Sequence, residues 1–182
     1  MNTDKADRQN QALEQVETAY AEWGSGLFRF ALRMSGNRDD AEDIVVETFT
    51  NAYHQWHTFK GTGSRRTWLY GIAVNCFRMA RRKQRLTLVS LDENMSVPRS
   101  QSVDIISLQQ EIDRLPLKQR EAFLLVKSEG LTAREAAEVL NRPLGTVLYE
   151  VHRAMHALRD GLRGEEVDCG PIPRSVRSNH EM

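Results

Sequence analysis

Two groups of side chains in this sequence have the types that could do chemistry: the carboxylates Asp39, Asp43 and Glu47 with His54, and the pair His152 and His156. The first group supplies the donors of a helical dinuclear metal site. Such a site needs a Glu-x-x-His arrangement converging from other helices, and none is present. His152 and His156 stand one helical turn apart and could share an ion, but no third ligand is placed to join them, which leaves two helix-surface histidines. The sequence also lacks a phosphate-binding glycine loop, a nucleophile elbow and a triad pattern. We therefore expect no catalytic residue, no metal, no cofactor and no small-molecule substrate. The remaining chemistry is that of binding a polyanion. Arg78, Arg81, Arg82, Lys83 and Arg85 form a basic run with no acid among them, whereas acids gather between Asp39 and Glu47. The 25 Lys and Arg balance 25 Asp and Glu, so distribution matters more than the formal net charge of +0, and different surfaces should meet different partners.

The elements that must position these groups read as all-α. Helical spacing recurs through most of the chain and almost nothing alternates with period two. Val16, Tyr20, Trp23, Leu27, Phe30 and Met34 follow three-and-four spacing, with Gly24-Ser25-Gly26 predicting a break between two helices and Gly36 an end. Asp39 with Glu42 resembles a capping box, ahead of a buried stripe from Ala41 to Trp56. Residues 60–64 read as a loop, and Trp68, Leu69, Ile72, Ala73, Cys76, Phe77 and Ala80 give the next helix its apolar face. Periodicity weakens after Leu86, where Ser, Asn, Pro98 and acids replace it. The expected organisation is two small helical domains, 16–86 and 104–163, joined by a flexible linker at 87–103 and followed by a disordered tail at 164–182. In the second domain helices are predicted at 104–115, 117–128, 132–140 and 143–163.

No apolar run approaches the roughly 20 residues of a membrane span. The polar N-terminus lacks a secretory h-region, and Cys76 and Cys169 give no sign of a disulfide, so a cytoplasmic location is expected.

Thr132 and Glu135 form a second capping box before a short helix, after which Pro143 can open a longer one at its first position. This short-helix, turn, longer-helix pattern over about 133–152 is that of a helix-turn-helix, although spacing alone equally allows an ordinary helical hairpin. Leu115-Pro116, Gln119-Arg120-Glu121, Glu129-Gly130-Leu131-Thr132, Glu135-Ala136-Ala137, Gly145-Thr146-Val147 and His152-Arg153-Ala154 resemble, in order, region 4 of extracytoplasmic-function sigma factors of the sigma-70 family. The first half is similar to region 2 of the same family, in Leu27-Phe28-Arg29-Phe30-Ala31, Asp40-Ala41-Glu42-Asp43-Ile44, Glu47-Thr48-Phe49, Phe59-Lys60-Gly61 and the run from Thr67 to Asn75.

The resemblance implies a transcription-initiation factor with three surfaces. Asp43, Glu47, Asn51 and Gln55 would meet core RNA polymerase at the clamp helices of its largest subunit, while the second domain would meet the flap of the second-largest subunit. The minus-10 promoter element, with a base flipped from the non-template strand, would be held by the loop and helix that supply Lys60, Thr62, Ser64, Arg65, Arg66, Asn75, Arg78, Arg81 and Arg82. The minus-35 element would be read by Thr146, Leu148, Tyr149, His152 and Arg153, with Thr132 and Arg134 near phosphates and a Glu150-to-cytosine contact as one option. Relatives carry several basic residues where this chain has Leu148, Tyr149 and Glu150. The family further implies control by an anti-sigma protein, commonly membrane-bound. The competing reading is a helix-turn-helix regulator that binds DNA without polymerase.

Overall fold

A computed structural model describes residues 3–59, 64–88 and 103–165, and among them every regular element is helical. The first unit consists of α1 (Thr3–Ser35), α2 (Arg38–Gln55) with a 3-10 turn at Trp56–Thr58, and α3 (Arg65–Leu88). The second contains α4 (Val103–Arg114), α5 (Leu117–Phe123) continued by a widened π-type turn over Leu124–Ser128, α6 (Ala133–Leu140) and α7 (Leu144–Glu165). Residues 89–102, most of the expected linker, and 166–182, most of the expected tail, lie outside the described residues, as does Cys169.

Burial follows the apolar periodicity. Leu27, Phe30 and Met34 of α1 close against Ile44 and Phe49 of α2 and against Leu69, Tyr70 and Val74 of α3. In the second unit Leu124, Leu125, Leu131, Ala136, Val147 and Ala154 are buried together. Each fully buried Leu, Ile, Val, Phe or Met side chain among these stabilises its unit by about 1.5–3 kcal/mol of transfer free energy, which is how helices too short to survive alone become ordered.

Three local expectations are corrected. The Gly24-Ser25-Gly26 stretch does not break the helix; α1 runs through it unbroken. Both glycines are sites of close approach: a Cβ on Gly24 would stand 3.2 Å from the Tyr20 ring, and one on Gly26 3.2 Å from the Tyr70 hydroxyl. Tertiary packing here overrides the helix penalty of about 1 kcal/mol per glycine. The cap of α2 is Asn37, whose side chain accepts from the Asp39 backbone N–H at 2.9 Å; Asp39 is already helical, with its charge in the favourable first turn. Pro143 likewise precedes α7, its carbonyl accepting from the Thr146 N–H at 3.0 Å and the Val147 N–H at 3.2 Å. The capping box of α6 is formed as expected, Thr132 and Glu135 each satisfying the other's backbone N–H.

The two units are packed together, α3 against α6 and α1 against the π-type turn, and much of their seam is polar. Arg78 donates two bonds to Glu121, Nε at 2.8 Å and an Nη at 2.9 Å, in the fork geometry that suits a carboxylate. Tyr70 donates to Glu129 at 2.7 Å, Arg66 to the Glu129 carbonyl and Arg33 to Ser128. Arg120 donates to the Met34 carbonyl at 3.2 Å, and Gln109 to that of Arg33 at 3.2 Å.

Candidate functional site

The outer face of α2 is built by exclusion. Ala41, Ile44, Val45, Thr48, Phe49 and Ala52 turn inward, so Asp43, Glu47 and Gln55 are left exposed in one line, with Val46 standing beside them 67% exposed. Asn51 is half-buried and donates to the Cys76 thiol at 3.4 Å, so it serves partly to tie α2 to α3. Burial pushes the Cys76 thiol above its ordinary pKa and keeps it protonated.

An open groove of about 550 Å³ separates α2 from α3. Glu47, Asn51 and Gln55 form one wall, and Asn75, Arg78 and Arg82 stand on the other. Residues attributed to two different partners in the sequence therefore line one cleft. Asn75, Arg81 and Arg82 are exposed, as a polyanion would require.

Of the remaining minus-10 candidates, Lys60 and Thr62 lie outside the described residues, while Ser64 and Arg65 are exposed at the start of α3. Arg65 sits over the Trp56 ring at 5.6 Å, and Trp56 in turn packs edge-on to Trp68 at 5.5 Å. Trp68 and Phe59, 5.5 Å apart, complete an aromatic cluster beside this loop. Arg66 and Arg78 differ from the others because both are engaged by the second unit. Glu121 raises the Arg78 pKa further, so the cation is permanent. Tyr70 is raised by burial and by Glu129, so it remains a neutral donor throughout the working pH range.

In the second unit α6 braces α7 through the left-handed residue Asn141 (φ 51°), giving the compact turn of a helix-turn-helix. Thr132, Arg134, Thr146, Leu148, Tyr149, His152 and Arg153 are all exposed. The expected Glu150-to-cytosine contact is corrected. Glu150 is buried and bonded to Arg142 at 2.8 Å, because it shares the inward side of α7 with Val147, Val151 and Ala154. Sequence reasoning also missed Arg142 and Glu121. Arg142 bonds both Glu121 and Glu150, and its place in the turn between two helices was the only available signal. His152 and His156 have ring centroids 4.4 Å apart, and among the described residues no group of three or more possible ligands could hold a metal.

Two helical units, the second presenting the exposed helix of a helix-turn-helix, define a DNA-binding protein. Residues 19–87 match the family Sigma-70 region 2, and residues 105–158 match Sigma-70, region 4. The chain is 34% identical over 147 residues to the ECF RNA polymerase sigma factor SigE of Mycolicibacterium smegmatis, covering 75% of this chain and 57% of that protein. It is 33% identical over 138 residues to EcfG of Rhodopseudomonas palustris, covering 72% and 76% of the two chains, and 33% identical over 155 residues to SigW of Bacillus subtilis, covering 75% and 83%. Its fold superposes on the sigma factor RpoE of Bartonella quintana, solved in complex with the anti-sigma factor NepR, with a TM-score of 0.73 and 25% identity over 85% of this chain and 99% of that one. The chain belongs to the sigma-70 family, in its extracytoplasmic-function branch. Among the described residues no helix is long and apolar enough to cross a membrane.

Proposed function

We propose that this protein recruits core RNA polymerase to particular promoters as a cytoplasmic sigma factor, supplying binding energy for promoter melting and performing no bond chemistry. The observation that carries this reading is the pairing, in one chain, of an exposed Asp43, Glu47 and Gln55 strip on α2 with a helix-turn-helix whose α7 faces outward. The strip would engage the clamp helices of the largest subunit, and the second unit the flap of the second-largest. Ser64, Arg65 and the exposed Asn75, Arg81 and Arg82 would hold the minus-10 strand, joined by Lys60 and Thr62. Thr132 and Arg134 would hold phosphates while α7 reads the minus-35 element.

Arg66 and Arg78 carry a mechanistic consequence. In the closed arrangement both are spent on Glu129 and Glu121, so they reach promoter phosphates only after the second unit swings away from α3. Polymerase binding would supply that opening by holding the two units at separate sites. The Bartonella quintana relative is held by an anti-sigma factor, and we extend the same kind of control to this chain. A regulator acting without polymerase would leave the match to region 2 without a role.

The test mixes the purified protein with bacterial core polymerase and a genomic fragment library and maps transcription starts. Discrete new starts are expected with the wild type, weakened at least roughly tenfold by Asp43→Ala/Glu47→Ala, the scale of one lost interfacial charge pair. Site-specific DNA binding without redirected starts would replace this reading with that of an independent regulator.

A further inference from the structure

The part of α7 that would enter the major groove is chemically unusual for a base reader. Val147, Glu150, Val151, Ala154 and Leu158 are buried and define its inward line. At 100° per residue, the line pointing directly away from them carries Gly145, Tyr149, His152 and His156, with Leu148 on one flank and Thr146 and Arg153 on the other. Tyr149 is 63% exposed and Leu148 52%, so none of the described residues covers them. Gly145 has open space where a Cβ would stand, so a DNA edge can approach the first turn closely. Of the neighbouring polar groups, Glu150 and Arg142 are paired beneath the helix, while His152 and His156 stand on the outward line with ring centroids 4.4 Å apart.

The leading turns of α7 thus lack the residues that read bases by paired hydrogen bonds, Arg or Lys for guanine and Asn or Gln for adenine. They present an aromatic ring and a branched aliphatic chain instead. In the major groove the apolar feature of a base edge is the C5 methyl group of thymine. We infer that Leu148 and Tyr149 are the specificity-determining residues for the minus-35 element and that they select thymine by enclosing its methyl group. This rests on the sigma-factor reading, which places α7 in that groove. Arg153 and Arg134 add phosphate contacts at the margins, so affinity and selectivity come from different side chains.

The experiment uses the holoenzyme assembled from this chain and core polymerase, on a promoter located by mapping its starts. Each minus-35 thymine is replaced in turn by deoxyuridine, which deletes the methyl group and leaves every hydrogen-bonding group in place. At one or two positions the wild-type holoenzyme should lose roughly fourfold in promoter affinity per contacted methyl, the worth of burying one such group. Leu148→Ala or Tyr149→Ala should abolish that difference, while a thermal unfolding curve matching that of the wild type shows that the variant is folded. If deoxyuridine changes nothing at any position, or if both variants keep the full methyl effect, the inference is overturned and the apolar crown is left as a surface for a protein partner. If the wild type yields no discrete start, the sigma-factor reading fails, and this inference with it.

Discussion

Glu121 has no exposed surface, and it is held by arginines from two directions, Arg78 across the seam and Arg142 from within its own unit. The two contacts should separate by mutation. Glu121→Gln weakens the charge-assisted bonds to both arginines while Arg142 keeps Glu150, which we expect to destabilise the protein by about 2 kcal/mol, readable as an earlier denaturant midpoint of the full chain. Arg78→Gln leaves Glu121 still paired with Arg142, so its cost to stability should be about 1 kcal/mol or less, Arg78 being about a third exposed. Glu135 gives a pH prediction. Its carboxyl lies below the ordinary range because the Thr132 backbone N–H and hydroxyl bond the charged form. A lowered folded pKa means stability fully present above the unfolded carboxylate value, about 4.3, and lost as pH falls through the folded value. Stability of the wild type should therefore decline in that acid window more steeply than that of Glu135→Gln.

The helices place these residues because their ends are chemically marked. Asn37→Ala removes the bond to the Asp39 N–H, and Thr132→Ala removes one half of the α6 box; each should cost about 1 kcal/mol, measured by chemical denaturation. Gly24→Ala should act in the opposite direction. Tyr20, the nearest neighbour, is 59% exposed and can yield, so the helix should gain up to about 1 kcal/mol. Gly26 differs from Gly24 because its neighbour, the Tyr70 hydroxyl, is fixed on Glu129 at the seam.

At the scale of the whole molecule, the seam joins groups that promoter DNA would also claim. Its ion pair weakens with salt, and Arg78→Gln removes that pair outright. Small-angle scattering of the free protein should report a compact particle in low salt and a larger radius of gyration for Arg78→Gln. An unchanged profile in the variant would show that the remaining seam contacts, chiefly those of Arg66, Tyr70 and Arg33, hold the units closed without it.

The all-helical character, the apolar stripes, the α6 capping box and the ordered motifs of both sigma regions are legible in the sequence, because each is written in spacing and residue type within a few turns of chain. The sequence did not determine that α1 continues through Gly24 and Gly26, since the helix is held by its packing, and the neighbour that makes glycine useful at 26, Tyr70, stands on another helix. Glu150 looked available to a base because its type suits one; only the tertiary structure set it beneath α7 against Arg142. The same holds for Arg66 and Arg78, whose charge marked them for phosphates but whose present partners, Glu129 and Glu121, lie 63 and 43 residues away in sequence. Local periodicity encodes which face a helix buries, whereas the partner of a buried charge is fixed only when distant elements close on it.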